Sequence, residues 1–231
     1  MDPVECLLSE FENCLDYCEQ HQYTGFESHL RTMTLRNVLA NAGDAIDNDE
    51  FLTSLHKTLS DWGLRRAELV PLDEFKTVLR QHKQEIQQLE QFAIETVASD
   101  RWSDLWSVIE SLKITSKRPR LVSGTKVLHH ILPNLVVPVD RVYTATFLFA
   151  YQPHDFQPEP NKSGQCERET FRVAFQCFSR VASAIGSNVA DYRRRNQIHT
   201  SVTKLIDNAI FAFVERTRTS TGGGAWIRPE E

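Results

Sequence analysis

Apolar residues recur at every third or fourth position along most of this chain, which is the spacing of one face of an α-helix. Paired stretches of alternating apolar and polar residues are missing, and the one β-like run, residues 135–139, contains a proline that disfavours a sheet interior. The helical stripes occupy residues 4–20, 48–64, 71–99, 102–113, 140–151, 167–186 and 201–217. The sequence therefore predicts an all-α fold of about eight to ten helices.

Residues with strong positional preferences mark several ends of these helices. Asn48 or Asp49 precedes an apolar stripe and is a typical N-cap. Pro71 suits the opening of a helix, and we expect one long helix over residues 71–99 to follow from it. Gly186 is typical of the position just after a helix end.

The composition is that of an ordinary globular protein, with 41% hydrophobic and 25% charged residues in 231 positions. No apolar run reaches the roughly 20 residues that span a bilayer, and the acidic N-terminal stretch lacks the features of a signal peptide. We therefore expect a cytoplasmic protein without membrane contact. Cys14 and Cys18 lie too far apart for a zinc or iron–sulfur motif, so we expect reduced thiols and neither a metal nor a cofactor.

Charge is distributed unevenly along the chain. Residues 1–100 hold 8 basic and 19 acidic residues, whereas residues 101–231 hold 18 basic and 12 acidic residues. We interpret this as an acidic helical half, 1–100, and a basic helical half, 101–218, which form two lobes of one unit. Residues 219–231 contain a glycine triplet and predict a flexible tail.

The basic excess is concentrated in two islands, and such islands, more than net charge, are what contact phosphates. The first island holds Lys113, Lys117, Arg118, Arg120 and Lys126, and the second holds Arg193, Arg194 and Arg195. The candidate DNA contacts among them are Lys117, Arg118, Arg120, Arg193, Arg194 and Arg195. For the arginine run, the alternative is an ordinary solvated helix face.

Residues 120–142, RLVSGTKVLHHILPNLVVPVDRV, place a glycine, a lysine, two histidines and an aspartate in an otherwise apolar run. We expect Gly124 to form a tight turn after the basic coil, and a helix to run from Thr125 to Pro133. A loop then brings Asp140 to the start of the next helix, where aspartate is also a good N-cap. Two helices joined by a glycine turn present backbone N–H groups and a helix N-terminus, which predict a phosphate site at Gly124 and Thr125.

Residues 124–127 (GTKV) and 138–140 (PVD) resemble, in the same order, the hairpin of the helix-hairpin-helix DNA glycosylase superfamily, in particular its 8-oxoguanine-glycosylase-like branch. The similarity covers residues 102–143. This chain has one glycine where the family has G-x-G, and its lysine and aspartate are 14 residues apart, closer than in the family.

The resemblance implies a glycosylase-like helical bundle and a DNA glycosylase that hydrolyses the N-glycosidic bond of a damaged or modified base. The partner would be double-stranded DNA with an extruded base. The role would be repair or, for the hypermodified bases of some phage genomes, defence against phage.

The resemblance also implies roles for two residues. Asp140 matches the family's aspartate, and a carboxylate suits this role because breaking an N-glycosidic bond builds positive charge on the deoxyribose. The same carboxylate can orient or deprotonate the nucleophile, which is either water or an amine. Lys126 matches the family's lysine, either as the amine that forms a Schiff base or as a phosphate anchor.

An enzyme that extrudes a nucleotide also needs a wedge and an aromatic-lined pocket. Tyr23, Phe26 and Trp62 are the candidates for these roles. His129 and His130 are adjacent in a helix, so their side chains point about 100° apart. We expect one of them to be packed and the other to face the cleft.

Two other interpretations stay open. The chain is alternatively a non-catalytic helix-hairpin-helix module that binds nucleic acid or protein, or an unrelated helical interaction protein. Lys204, Asp207 and Asn208 predict a core helix with polar contacts, with a role in the site as the alternative.

Overall fold

The computed structural model describes residues 2–21, 25–98, 100–117, 120–149 and 163–220, with side chains described for 167–218 in the last range. Tyr23, Arg118 and the predicted tail beyond residue 220 lie outside the described residues. The α-helices are α1 (Pro3–Ser9), α2 (Phe11–Gln20), α3 (Phe26–Asn37), α4 (Ala42–Asp47), α5 (Asp49–Asp61), α6 (Leu72–Gln81), α7 (Lys83–Leu89), α8 (Trp102–Ser111), α9 (Arg120–Ile131), α10 (Tyr143–Leu148), α11 (Ser163–Ile185), α12 (Val189–Arg195) and α13 (Val202–Ser220).

The predicted all-α fold is confirmed for the described residues, which contain no strand and only an isolated bridge between Leu69 and Thr115. Asn48 is an N-cap as expected, because its side chain accepts a hydrogen bond of 2.8 Å from the N–H of Phe51. Gly186 follows the last residue of α11. In this part of the chain, no helix is long and apolar enough to cross a membrane.

Two predicted helices are each divided in the structure, which gives more and shorter elements than expected. The first stripe breaks at Glu10, between α1 and α2. The expected long helix over 71–99 breaks at His82 and ends at Leu89. The apolar spacing continues across these breaks because the short helices on either side each pack their apolar face against the same core.

The acidic and basic halves share that core. Buried apolar side chains form one cluster that extends from Val4 to Val214. The N-terminal helices pack against C-terminal ones, with α1 on α11 and α2 on α13, while α3 packs on α9. The charge boundary near residue 100 is therefore a division of sequence and surface, and the core crosses it.

The predicted turn at Gly124 is wrong. Helix α9 runs without interruption from Arg120 to Ile131, and Gly124 lies in its second turn. A Cβ atom at this position would lie 2.9 Å from Ile109 Cγ2 and 3.1 Å from the Ile109 carbonyl oxygen, on helix α8. The glycine is thus required because α8 and α9 approach each other closely, and it bends no hairpin.

Candidate active site around Lys126 and Asp140

The two oxygens of the Asp140 carboxylate have different partners. Oδ1 accepts hydrogen bonds from the backbone N–H groups of Val142, at 2.7 Å, and Tyr143, at 3.2 Å, at the start of α10. The N–H of Asp140 in turn donates to Thr144 Oγ1 at 2.9 Å. Oδ2 lies 3.6 Å from the Lys126 ammonium nitrogen. Asp140 therefore caps a helix with one oxygen and faces Lys126 with the other.

Thr125 explains how the loop before Asp140 is held beside α9. Its hydroxyl accepts a hydrogen bond of 3.0 Å from the N–H of Val139 and donates one of 2.7 Å to the Leu121 carbonyl. Thr125 is fully buried, so the predicted role in contacting phosphate is wrong for this residue as it is for Gly124. Its role is to fix the loop that carries Asp140.

The Lys126 side chain is nearly buried, with 8% of the residue exposed. Its ammonium group donates to the Trp62 carbonyl at 3.1 Å and also lies 5.8 Å from the centre of the Trp62 ring. A buried ammonium group is costly unless it is paired. The carbonyl of Trp62 and the carboxylate of Asp140 together supply those partners.

A second buried ammonium group lies on the same tryptophan. Lys204, which is 3% exposed, lies 5.1 Å from the Trp62 ring and forms an ion pair of 2.5 Å with Asp207. Cations above an indole face are attracted by its electron-rich surface. The Trp62 indole is thus shared by two lysines from different helices, α9 and α13.

Gly25, which immediately precedes α3, lies against this indole. Gly25 has a positive φ of 84°, a conformation that favours glycine. A Cβ atom on it would lie 2.9 Å from Trp62 Cδ1. Of the other predicted pocket residues, Phe26 is buried beside this glycine.

His29 and His130 form a hydrogen-bonded chain behind Lys126. His130 Nδ1 lies 2.8 Å from the Lys126 carbonyl oxygen, which only accepts, so this nitrogen carries the proton. His130 Nε2 therefore accepts from His29 Nδ1 at 3.0 Å, and His29 Nε2 accepts from the Thr200 hydroxyl at 3.1 Å. The chain fixes the tautomer of both rings.

His129 and His130 are both fully buried, so the expectation that one faces the cleft is wrong. His129 Nδ1 lies 3.0 Å from the Val136 carbonyl and 3.1 Å from Thr203 Oγ1. Burial holds the pKa of His29 and of His129 well below the ordinary value, and lowers the pKa of His130 to about 4. The histidines beside the two lysines are therefore neutral at physiological pH.

A carboxylate of the protein itself lies at the N-terminus of α9. Helix α9 begins at Arg120, and the N–H of Leu121 donates to Glu167 Oε2 at 2.8 Å. Glu167 is 1% exposed and belongs to α11. The helix thus begins before Gly124 and Thr125, where the phosphate site was predicted, and its N-terminus already binds a buried carboxylate, which the helix dipole favours.

Three of the predicted DNA-contacting cations are paired with acidic side chains. Lys117 pairs with Glu68 at 2.5 Å, and Arg194 pairs with Asp191 at 2.7 Å. Arg195 pairs with Asp16 and Glu19, while the Arg120 guanidinium donates to the Thr115 carbonyl. Such exposed ion pairs contribute only about 0–1 kcal/mol each, so a phosphate can replace the carboxylate.

His29, Lys204 and Glu167 are the contributors to this region that sequence reasoning missed or treated as structural. Each is a titratable residue at a buried position of a helix, among apolar neighbours, and this is the signal that could have identified them. His29 and Glu167 have partners far away in sequence, and so does Lys204 through the Trp62 ring, so the sequence gives no indication of these contacts.

Comparison with protein-family models, with curated proteins and with solved structures finds no match for this chain. The site is therefore interpreted from its geometry and from the two short motifs that contain Lys126 and Asp140.

Proposed function

We propose that this protein is a DNA glycosylase that releases a damaged or modified base, with Asp140 and Lys126 at its active centre. The observation that carries the proposal is the distance of 3.6 Å between Lys126 Nζ and Asp140 Oδ2. The two residues lie 14 positions apart in sequence, and a carboxylate next to an amine is the pair that glycosidic cleavage through a Schiff base uses.

The carboxylate of Asp140 is suited to the sugar side of this reaction. Its Oδ1 is fixed by two backbone N–H groups, so the position of Oδ2 is set before any substrate binds. The side chain is 35% exposed, so the carboxylate lies at the protein surface, where a deoxyribose or a water molecule can approach it. As the C1′–N bond breaks, the base departs with the electron pair, and Oδ2 stabilises the positive charge that forms on the sugar.

Two nucleophiles are compatible with the geometry. In the first route Asp140 accepts a proton from water, whose oxygen bonds to C1′, and the product is an abasic site. In the second route the Lys126 amine in its neutral form bonds to C1′ and loses a proton, and opening of the sugar ring then gives a Schiff base. The neutral histidines behind Lys126 add no positive charge that would oppose either route.

Trp62 covers the two ammonium groups and is the candidate surface for an extruded nucleotide. An entering base would stack on this indole or displace it, and base–aromatic stacking contributes roughly 1–3 kcal/mol. A cytoplasmic location, with access to cellular or phage DNA, fits this role.

Borohydride trapping on a duplex that carries a single abasic site tests the lysine without knowledge of the base. If Lys126 forms the Schiff base, wild-type protein is cross-linked by borohydride and Lys126→Gln is not. The matched control is Lys117→Gln, which removes an exposed lysine outside the site. Trapping of Lys126→Gln at the wild-type level would contradict the second route, and base release without trapping would support the first.

A non-catalytic DNA-binding module is the second candidate, favoured by the near-complete burial of Lys126 and by the closed histidine cluster. It predicts salt-sensitive binding to duplex DNA that Asp140→Asn leaves unchanged, with no abasic product. Loss of product formation with retained binding in Asp140→Asn would contradict it and support the glycosylase.

A further inference from the structure

Two cavities of about 310 and 470 Å³ lie between α3, α12 and the loop that follows α9. Asn37, Arg193 and Thr200 line both of them, so the two spaces adjoin at these residues. We call them the Arg193 cavities. Their volumes fall in the range of small-molecule binding sites, roughly 300–1,000 Å³. The proposed glycosylase chemistry makes no use of them.

Arg193 differs from its neighbours in the arginine run. Arg194 and Arg195 each pair with a carboxylate, whereas no described carboxylate lies within ion-pair distance of Arg193. Its Nη2 donates to the Thr200 carbonyl at 3.0 Å, which holds the guanidinium at the cavity wall. The other N–H donors of this planar group stay available, and their geometry suits a phosphate oxygen pair.

The inner wall of the smaller cavity carries one positive and one negative side chain, which form an ion pair with each other. Arg36, which is 8% exposed, donates to the Ile131 carbonyl at 2.9 Å and forms an ion pair of 2.7 Å with Glu90. Glu90 also accepts the N–H of Ala42 at 2.8 Å. This pair is satisfied within the protein. Arg194, which lines the larger cavity, pairs with Asp191, so Arg193 is the lining arginine without a described carboxylate partner.

The remaining wall offers groups that match a nucleobase. The side-chain amides of Asn37 and Asn134 make no hydrogen bond within the described part of the chain, and each presents one acceptor and two donors. Such an amide pairs with the edge of a base. Phe92 adds a partly exposed aromatic ring to the same cavity, and a base stacks on such a ring.

We propose that the Arg193 cavities bind a nucleotide, with its phosphate on Arg193 and its base against Asn37, Asn134 and Phe92. Both free nucleotides and nucleotide units of a nucleic-acid strand carry this chemistry. Thr200 connects the cavities to the candidate active site, because its hydroxyl donates to His29 in the chain that ends at the Lys126 carbonyl. The proposal does not depend on glycosylase activity.

Isothermal titration of the full chain tests the proposal with three probes: the four nucleoside 5′-monophosphates, inorganic phosphate, and a short single-stranded oligonucleotide. At least one mononucleotide binds about tenfold or more tightly than inorganic phosphate. Arg193→Ala weakens the binding of both about tenfold, because a charge-assisted hydrogen bond contributes at least that factor. The matched control is Arg195→Ala, which removes the same charge two residues away but lines neither cavity.

Asn37→Ala separates base from phosphate recognition, since it weakens nucleotide binding and leaves phosphate binding unchanged. An oligonucleotide that competes with the mononucleotide identifies a strand as the source of the ligand, and an oligonucleotide that does not compete identifies a free nucleotide. Equal affinity for mononucleotide and phosphate, or equal effects of Arg193→Ala and Arg195→Ala, would overturn the proposal. Neither result bears on base release at Asp140, so this proposal and the glycosylase proposal fail separately.

Discussion

The hydroxyl oxygen of Thr125 accepts a hydrogen bond of 3.0 Å from the backbone N–H of Val139. Each of these residues immediately precedes one member of the proposed catalytic pair, Lys126 and Asp140. The bond therefore couples helix α9 to the loop at the point where the two side chains meet. It accounts for how the ammonium and the carboxylate are held 3.6 Å apart across a 14-residue separation.

Removing this bond lowers both stability and activity. Thr125→Val leaves the buried Val139 N–H without a partner, which costs roughly 1–3 kcal/mol of unfolding free energy. Thr125→Ser keeps the hydroxyl and restores most of the loss. Urea unfolding measures the first effect and base release the second. A Thr125→Val protein with wild-type stability would show that the hydrogen bond does not hold the loop.

Two substitutions of Asp140 are expected to distinguish its structural role from its catalytic role. Both substitutions remove the carboxylate that pairs with the nearly buried Lys126 ammonium, so both variants are less stable than the wild type. Asn caps a helix about as well as Asp, so Asp140→Asn is expected to be about 1 kcal/mol more stable than Asp140→Ala. Both variants lose activity, because neither retains the carboxylate charge. Thermal unfolding of the pair is the measurement, and equal destabilisation by Asn and Ala would contradict the capping role of Oδ1.

Gly124→Ala is expected to destabilise the protein by about 1–3 kcal/mol, because its methyl group would overlap Ile109. The double variant Gly124→Ala with Ile109→Ala relieves part of that overlap, so the two changes are less than additive. A double-mutant cycle in urea checks this. If Gly124 were instead a phosphate-contacting turn, the single variant would weaken DNA binding and leave stability unchanged.

Stability is expected to fall as the pH is lowered from about 6.5 toward 4. Burial lowers the pKa of His29, His129 and His130 in the folded protein, while unfolding returns them to their ordinary value near 6.5. Below that pH the unfolded chain binds protons that the folded protein does not, so each histidine costs about 1.4 kcal/mol per pH unit. Above pH 6.5 this effect is absent.

Urea unfolding between pH 7.5 and 5 measures this dependence. His130→Gln should reduce its slope, and the matched variant His21→Gln, at an exposed histidine, should leave it unchanged. A wild-type unfolding free energy that does not fall over this interval would show that the three histidines are not neutral and buried together.

The sequence predicts those parts of the site that depend on short runs of residues close together along the chain. The runs that contain Lys126 and Asp140 are short and adjacent in sequence, and the all-α fold follows from a helical spacing that tolerates breaks at Glu10 and His82. The role of Gly124 does not follow from the sequence, because a glycine suits a turn and a close helix contact equally, and only the position of Ile109 decides between them.

The rest of the site depends on partners that are distant in sequence. His29 is 101 residues from His130, and Glu167 is 46 residues from Leu121, whose N–H it accepts. Each is a titratable residue at a buried helix position, and the sequence does not indicate which distant group it contacts. The same holds for the contact between Lys204 and Trp62, which are 142 residues apart in sequence.

The most direct test of the glycosylase proposal is the release of free bases from DNA, detected by mass spectrometry so that no base need be assumed. Wild-type protein and Asp140→Asn are incubated with oxidised, alkylated and deaminated duplexes and with hypermodified phage DNA. The proposal predicts that the wild type releases at least one base and leaves abasic sites, and that Asp140→Asn, folded and DNA-binding, releases none above background. Release at the wild-type rate by Asp140→Asn would contradict it.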